Sequence, residues 1–353
     1  MQNSVLETVD APRRSSPLFD AAVAAVDAKT KPRGALGRIE SLAVQLACLQ
    51  STLTPHVDRA RVIVFAADHG VADDGVSAFP KAVTGEMMRN FARGGAAICV
   101  FARSVSAELD VIDVGVDADL QDLDGIVHAV VRRGTRNMRV EAAMTSGECA
   151  RAMQVGRDAA DRAHADGMQA ILLGEMGIGN TTSAAVITSA ITRAEPVQTV
   201  GRGTGIDDAR HRNKITIVCE ILARHNAGAL EIHSLLASVG GLEIAALVGA
   251  ALQAAALGMV VVVDGYITTA AILVAHRIDA SVLRACVFAH RGSEPGHAIA
   301  LASLHAEPLL ALDLRLGEGS GAALALPLVQ AAARMLTEMA TFASAGVSGE
   351  ATS

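Results

Sequence analysis

One run of this sequence has the residue types of a phosphate-binding loop, Leu172-Leu-Gly-Glu-Met-Gly-Ile-Gly-Asn-Thr-Thr-Ser183. An apolar strand leads through a glycine-containing turn into polar capping residues, and the pattern predicts a helix over 184–191. Free backbone N–H groups at a helix start attract phosphate, and glycines let the backbone approach a ligand closely. The expected ligand-facing residues are Gly177, Gly179, Asn180, Thr181 and Thr182. The alternative is that the polar residues only cap the helix.

A flexible and then basic segment follows at 201–214 and suits an anionic ligand. It begins Gly201-Arg-Gly-Thr-Gly205 and continues through Arg210, Arg212 and Lys214. Positive charge beside a phosphate cradle fits an anionic substrate. For the two arginines the favoured alternative is a solvated helix face. The glycine run lacks the third spaced glycine and the downstream acid of a dinucleotide-binding loop, which argues against a dehydrogenase.

A single carboxylate lies between glycines in the run Leu314-Arg-Leu-Gly-Glu-Gly-Ser-Gly-Ala-Ala323. Packing does not require an acid at Glu318, and the flanking glycines leave it room to face a ligand. The alternative is an acid that only complements the dipole of the following helix.

The elements that position these residues are short apolar runs separated by Ala-rich stretches with helical spacing. The runs cover residues 61–67, 109–115, 170–174, 259–263 and 285–289. Such alternation predicts an α/β fold with a mostly parallel sheet and helices on both faces. Ligands bind beyond the carboxyl ends of such strands. The polar residues at these ends are Asp68, His69, Glu175, Asp264, His290 and Arg291, and ordinary loop polarity is the alternative for each.

The two ends of the chain have a different pattern. Residues 21–28 and 39–49 have helical spacing with no strand between them, and residues 322–342 are again helical, with Pro327 expected near the first turns. We expect these helices to form a small helical domain. The predicted division is 1–55 for its N-terminal part, 56–305 for the α/β substrate-binding domain, and 306–353 for the C-terminal part with the Glu318 loop. The tail 343–353 is expected to be frayed.

The composition excludes several classes of protein. The chain has 353 residues, 51% of them hydrophobic and 19% charged, which indicates a packed globular protein. Aromatic residues are only 2% and the net charge is −7, so nucleic-acid binding is not expected. The P-loop, HExxH and GxSxG patterns are absent from the sequence.

Metal, disulfide and membrane interpretations also find little support. The five cysteines are an odd number without a CxxC pair, which predicts buried thiols in a reducing compartment. The spacing of His69, His290 and His297 matches no zinc pattern, so no metal and no cofactor are predicted. Residues 244–263 are free of charge over a membrane-spanning length, yet a buried helix followed by a buried strand fits them better. The N-terminus lacks an apolar signal region, and the expected location is cytoplasmic.

Taken in order along the chain, these runs resemble the nicotinate-nucleotide:dimethylbenzimidazole phosphoribosyltransferase family of cobalamin biosynthesis. The segments around Gly174 and Gly317 are the most specific. The resemblance rests on Lys29-Thr-Lys-Pro-Arg-Gly-Ala-Leu-Gly-Arg-Ile-Glu40, Ala67-Asp-His-Gly-Val71, Gly75-Val-Ser-Ala-Phe-Pro-Lys81, Gly174-Glu-Met-Gly-Ile-Gly-Asn-Thr-Thr182, Gly201-Arg-Gly-Thr-Gly205, Val263-Asp-Gly265, His290-Arg-Gly-Ser-Glu-Pro-Gly-His297 and Arg315-Leu-Gly-Glu-Gly-Ser-Gly-Ala-Ala323.

The resemblance implies a homodimeric enzyme with a Rossmann-like α/β body and a small helical domain. It moves 5-phosphoribosyl from nicotinate mononucleotide to 5,6-dimethylbenzimidazole with inversion, and releases nicotinate. Glu318 matches the family's general base and Glu175 a second active-site acid. The phosphate and ribose side matches Gly177, Gly179, Asn180, Thr181, Thr182, Gly203, Lys214 and Asp264. The nicotinate side matches His290, Ser293 and His297, and the base pocket matches Phe79, Met87, Met176 and Leu316.

The base pocket departs from the family pattern. Well-known relatives carry Ser and Gln where Phe79 and Met87 align, and Leu where this chain has Met176. A more apolar and more adaptable wall is expected, so the preferred acceptor base stays open. The alternative from another class is a protein that binds such nucleotides without catalysis, and the intact Glu318 argues against it.

Overall fold

The computed structural model describes residues 16–203 and 205–348. Its centre is one six-stranded parallel sheet with the strand order β3-β2-β1-β4-β5-β6. The strands are β1 (Ala60–Ala67), β2 (Glu108–Gly115), β3 (Val127–His128), β4 (Ala170–Met176), β5 (Val260–Val263) and β6 (Cys286–Phe288). Each of the five predicted runs forms a strand, and only the two-residue β3 was not predicted. The chain order reverses between β1 and β4, where parallel sheets open a ligand crevice.

Fourteen helices are found in the described part of the chain. They are α1 (Pro17–Asp27), α2 (Arg38–Leu49), α3 (Ala82–Ala92), α4 (Ala97–Ser104), α5 (Ser146–Ala165), α6 (Asn180–Thr192), α7 (Pro196–Thr199), α8 (Asp208–His225), α9 (Ile232–Val239), α10 (Leu242–Ala256), α11 (Tyr266–Ile278), α12 (Pro295–Ser303), α13 (Ser320–Glu338) and α14 (Phe342–Ala345). Short 3₁₀ turns cover Gly70–Asp74, Ala227–Ala229 and Ala280–Arg284.

Helices cover both faces of the sheet, as predicted. Successive strand residues point to opposite faces, so Ile63 and Phe65 of β1 join a core with α5, α6, α10 and α11. Val62 and Val64 join the other core, which α1, α2, α4 and α13 cover. Both faces of the central strands are therefore buried, which explains their continuous apolar runs.

Helices from the two ends of the chain meet on the second face, where α2 packs against both α1 and α13. The prediction for Pro327 was wrong, because α13 starts directly after the Glu318 loop and places this proline inside the helix. The tail is ordered further than expected. Its short helix α14 is capped reciprocally by Thr341 and Ser344, whereas the parts of the predicted division at 1–15 and 349–353 lie outside the described residues.

The uncharged stretch 244–263 is confirmed as a buried helix, α10, followed by the buried strand β5. Among the described helices, none is both long and apolar enough to cross a membrane. The prediction of buried cysteines holds for Cys99, Cys149 and Cys286 but is wrong for two others. Cys219 is exposed on the outer side of α8, and Cys48 is half-buried near the end of α2.

Candidate active site

The polar residues predicted at the strand ends do lie at one edge of the sheet. Asp68 and His69 follow β1, Asp264 follows β5, and His290 follows β6. Glu175 is the second-last residue of β4. All five are buried. Arg291, the sixth residue of the predicted group, is exposed instead.

The glycine loop after β4 differs from its predicted form. The helix α6 begins at Asn180, four residues earlier than predicted, and its N-cap is Gly179 with a φ of 99°. Only glycine adopts this left-handed backbone without strain. The expected cap by Asn180, Thr181 and Thr182 is therefore wrong, because these residues lie inside the first turn of the helix.

The side chains of that first turn make other contacts. The Asn180 amide donates a hydrogen bond to Glu175 Oε2, and Thr181 Oγ1 accepts one from Lys214 Nζ at 2.6 Å. The Thr182 hydroxyl is buried and has no partner within the described residues. Two backbone N–H groups, of Asn180 and Thr182, already bond to carbonyls in the loop. A bound phosphate would therefore depend on side chains as well as on the backbone.

Gly177 is required by the strand beside it. A Cβ atom on Gly177 would lie 2.4 Å from the Ala67 carbonyl oxygen, which is closer than any real contact. The loop can thus follow the end of β1 only with glycine at this position. Ile178, the next residue, donates its N–H to Thr84 Oγ1 of α3 at 3.2 Å. Sequence reasoning had no signal for Thr84, because a lone threonine in a helix has no distinctive spacing.

Lys214 is the buried cation of the site. Its burial lowers the pKa to about 8, and the negative charge of Glu294 partly offsets this effect. Gly203 lies beside it, since a Cβ on this residue would be 3.4 Å from Lys214 Nζ. The Gly203 N–H donates to Glu294 Oε1 at 2.8 Å. Arg210 and Arg212 are exposed on α8, as a solvated helix face requires.

The Glu318 loop packs directly against β4. Gly317, Glu318 and Gly319 all have left-handed backbone, with φ of 82°, 64° and 83°. The Glu318 N–H donates to the Glu175 carbonyl at 3.2 Å. A Cβ on Gly174 would lie 2.5 Å from the Glu318 carbonyl carbon. Glycine at 174 is thus what allows the two acid-bearing segments to touch.

Asp264 fixes the same loop from the other side. Its carboxylate accepts the Ala322 N–H at 3.0 Å and the Gly319 N–H at 3.2 Å, so it caps the start of α13. His290 Nε2 lies 3.6 Å from Asp264 Oδ1. In the structure Asp264 therefore positions the loop that carries Glu318, whereas the ribose contact implied for it stays a prediction.

Burial changes the acidity of both glutamates. The pKa of Glu175 rises to about 8, first because its carboxyl is desolvated and then because Glu243, Asp264 and Glu318 add negative charge nearby. The pKa of Glu318 is also raised by burial, with a smaller contribution from Asp264. The Ile98 N–H, 3.4 Å from Glu318 Oε2, acts in the opposite direction. A buried carboxyl with a raised pKa is a stronger base once it is ionised.

The three residues implied for the nicotinate side differ in their exposure to solvent. His297 is fully buried, and burial lowers its pKa to about 3. Its Nδ1 accepts the Gly292 N–H at 3.0 Å, and its Nε2 lies 3.0 Å from Thr269 Oγ1. Both ring nitrogens are thus used to hold the turn after β6. His290 is buried against the loop, whereas Ser293 is exposed at the tip of the turn.

The four residues of the implied base pocket differ in exposure. Met87 of α3 and Met176 at the end of β4 are half-buried and pack against the second core. Phe79 is 51% exposed and Leu316 is 58% exposed. Met176 adjoins Glu175 in the chain and Leu316 lies two residues before Glu318. Two of the four are thus carried by the segments that hold the acids.

Glu243 is a further site residue that sequence reasoning missed. It is completely buried at the start of α10, and its negative charge is the second largest cause of the raised Glu175 pKa. Its only signal was its place as the one acid directly before a long uncharged stretch. Within residues 16–203 and 205–348, no group of three or more metal-binding side chains is arranged to hold an ion.

Comparison with known proteins decides the family. The model of a family described as Phosphoribosyltransferase matches residues 12–347. The chain belongs to this phosphoribosyltransferase family. Two similar members are the nicotinate-nucleotide–dimethylbenzimidazole phosphoribosyltransferases of Cupriavidus taiwanensis, 51% identical over 92% of this chain and 94% of that protein, and of Ralstonia nicotianae, 52% identical over 93% of each.

Solved structures of the phosphoribosyltransferase family have the same fold. The CobT crystal structure from Thermus thermophilus matches with a TM-score of 0.91 and 44% sequence identity, covering 94% of this chain and 99% of that one. A second structure from that organism, titled as the nicotinate-nucleotide–dimethylbenzimidazole phosphoribosyltransferase, has a TM-score of 0.90 and 43% identity over the same shares. The predicted family and the predicted α/β fold are both confirmed.

Proposed function

We propose that this phosphoribosyltransferase moves 5-phosphoribosyl from nicotinate mononucleotide to 5,6-dimethylbenzimidazole. The products are nicotinate and α-ribazole 5′-phosphate, which serves the lower-ligand nucleotide of cobalamin. Relatives about 50% identical over more than nine-tenths of the chain carry this activity in their names. The observation that carries the proposal is Glu318, a buried carboxyl with a raised pKa on a loop packed against the end of β4.

The donor phosphate is assigned to the start of α6. The buried Lys214 and the half-buried Thr181 form a cation and hydroxyl pair there, with Nζ and Oγ1 2.6 Å apart. A phosphate would give Lys214 an anionic hydrogen-bond partner in addition to the nearby charge of Glu294, and charge-assisted hydrogen bonds are the strong ones. Gly203 lies close enough to both side chains for its backbone to line the same site. The ribose then extends toward Glu175 and the Glu318 loop.

The reaction needs one base and no acid. An imidazole nitrogen of the acceptor attacks C1′ on the face opposite nicotinate, which inverts the configuration. The bond from C1′ to the pyridinium nitrogen breaks, and its electron pair neutralises that nitrogen. The second imidazole nitrogen becomes acidic and passes its proton to Glu318. General-base assistance of this kind is worth about 10² to 10⁴ in rate.

Glu175 acts on the donor side. With a pKa of about 8, its carboxyl is mostly protonated at neutral pH in the free protein. The cationic ring of nicotinate mononucleotide favours its ionised form, and the carboxylate then stabilises the positive charge that develops on the ribose. Asn180, which donates to Glu175 Oε2, keeps the carboxyl oriented.

The acceptor base and the nicotinate ring occupy opposite sides of the ribose in this proposal. Met176 and Leu316 flank the two acids along the chain, and with Phe79 and Met87 they form the acceptor wall. His290, next to Asp264, and Ser293 belong to the nicotinate side. His297 stabilises that side because its Nδ1 accepts a hydrogen bond from the Gly292 N–H.

The test is nicotinate release from nicotinate mononucleotide in the presence of 5,6-dimethylbenzimidazole. Wild type should release nicotinate only with the base present, and Glu318→Gln should lower kcat by at least about 100-fold, the size of a lost general base. Absence of release from wild type, with nucleotide binding intact, would favour the binding protein instead. Equal rates in both proteins would retain the enzyme and reject Glu318 as its base.

The proposal includes a cytoplasmic homodimer, as the family resemblance implies. Sedimentation equilibrium of the purified chain should give twice the mass of 36.2 kDa. Cell fractionation should recover the protein with the cytoplasmic enzymes. A monomer, or a membrane-bound fraction, would refute the corresponding part.

A further inference from the structure

A buried acid–imidazole pair lies beneath the glycine loop. His69 is 1% exposed and Glu243 is 0% exposed, and His69 Nε2 lies 2.6 Å from Glu243 Oε1. The two residues come from different layers, since His69 follows β1 and Glu243 is in the first turn of α10. A hydrogen bond between them connects the end of the sheet to a covering helix. Removing one member of such a buried pair is costly, because the other is left without its partner.

The other side of the imidazole faces α6. His69 Nδ1 lies 3.3 Å from Ser183 Oγ, which is also 3.3 Å from the Gly240 carbonyl oxygen. Ser183 follows Thr182 in the helix, so it is in the same turn as Thr181. The side chains of Glu243, His69 and Ser183 thus form a continuous line of hydrogen bonds that ends in the first turn of α6.

The imidazole is confined by backbone on both sides. A Cβ on Gly241 would lie 2.4 Å from His69 Cε1, and one on Gly177 would lie 3.5 Å from His69 Cδ2. A Cβ on Gly179 would lie 3.3 Å from His69 Cβ. The ring thus fills the space between the start of α10 and the glycine loop. The residue types are those of a Ser–His–acid triad, but complete burial keeps substrate from reaching the serine.

We propose that His69 and Glu243 are positioning residues for the donor phosphate. Through Ser183 they fix the first turn of α6, and so set Thr181 against Lys214 where the phosphate binds. The inference rests on the proposed function, because it assigns a purpose to the loop that this function uses. Neither residue touches substrate. Their effect should appear in donor binding and leave acceptor binding unchanged.

The decisive comparison is between two serines of α6. Ser183→Ala removes the hydroxyl that His69 contacts. Ser189→Ala is the matched control, because Ser189 is also buried in α6 and its Oγ bonds Thr199 Oγ1 at 2.7 Å. We expect Ser183→Ala to raise the KM for nicotinate mononucleotide about 3- to 10-fold, the effect of one lost hydrogen bond. The KM for dimethylbenzimidazole should stay within about 2-fold in both variants.

Two variants at Glu243 add a rescue. Glu243→Gln retains an oxygen that can accept the His69 N–H, whereas Glu243→Ala does not. The donor KM should therefore be higher in the alanine variant and return toward wild type with glutamine. A change in kcat alone, with both KM values unchanged, would indicate a merely structural role and overturn the inference. An equal effect of Ser183→Ala and Ser189→Ala would also overturn it.

Calorimetry separates this inference from the proposed function. The dissociation constant of nicotinate mononucleotide can be measured without turnover on wild type and both serine variants. If wild type releases no nicotinate, the proposed function fails, yet weaker donor binding in Ser183→Ala alone still supports the positioning role. If wild type is active and Ser183→Ala binds the donor as tightly as wild type, the positioning role fails and the function stands.

Discussion

The raised pKa of Glu175 makes a quantitative prediction about stability. Glu175→Gln replaces a buried carboxyl by an uncharged group of nearly the same shape, and the Gln oxygen can still accept from the Asn180 amide. In the unfolded chain the carboxyl has its ordinary pKa of 4.5, whereas in the folded protein the pKa is about 8. The folded protein thus holds a proton that the unfolded chain releases, and stability falls as the pH rises from 4.5 to about 8.

The size of the effect follows from these two pKa values. Relative to a carboxyl whose pKa is unchanged by folding, the raised pKa of Glu175 costs the folded protein about 1 to 2 kcal/mol near pH 5.5, where the buried group stays protonated, and about 4 to 5 kcal/mol near pH 8.5. The glutamine variant carries no such penalty. Its free energy of unfolding, relative to wild type, should therefore increase by about 3 kcal/mol between these two pH values.

The assay is urea unfolding of both proteins at about pH 5.5 and about pH 8.5, at one ionic strength. Glu148→Gln is the control with the opposite sign. Arg136 holds the pKa of Glu148 down to about 2, so this variant should lose stability relative to wild type at both pH values, with a nearly constant difference. A Glu175→Gln advantage that stays constant or shrinks toward high pH would refute the idea of a buried, desolvated carboxyl.

Three further predictions concern activity. The KM for nicotinate mononucleotide should rise as the pH increases through about 8, because the lowered pKa of Lys214 lets it lose its charge there; Lys214→Met should show a high KM without this pH dependence in steady-state assays. Gly174→Ala should lower kcat by at least about 10-fold, because its Cβ would displace the Glu318 carbonyl carbon 2.5 Å away, and a wild-type rate would contradict the close packing. Phe79→Ser combined with Met87→Gln should change the ratio of kcat/KM between benzimidazole and purine acceptors, and an unchanged ratio would remove these residues from the acceptor wall.

The central strands of the sheet could be predicted because they are buried on both faces, whereas the two residues of β3 are exposed. Continuous apolar runs such as Val260–Val263 need no long-range information to be recognised. The rule that ligands bind beyond strand ends also predicted that Glu175 and Asp264 lie at the same edge of the sheet. Contacts between distant segments could not be predicted in the same way. The approach of Gly174 to the Glu318 loop depends on how β4 packs against α13.

Hydrogen-bond partners were the least predictable feature of the site. The family resemblance implies a ribose contact for Asp264, but nothing in the sequence indicated that its oxygens also accept the N–H groups of Gly319 and Ala322. Thr181 was expected to cap α6, yet it accepts from Lys214. Residue type shows that a side chain can form hydrogen bonds. Which partner it contacts depends on the residue at which the helix begins, and α6 begins four residues earlier than predicted.

The grouping of buried acids at the sheet edge also affects how readily the leaving group departs. Glu318 and Asp264, with Glu175 once it ionises, give this region a negative potential in a poorly solvated place. The nicotinate group of the bound donor has a positive ring nitrogen that offsets its carboxylate, whereas the departing nicotinate has a neutral ring nitrogen and keeps the negative carboxylate. The field that stabilises the pyridinium therefore repels the leaving group. Bond cleavage removes the attraction for the ring nitrogen, which speeds the release of nicotinate.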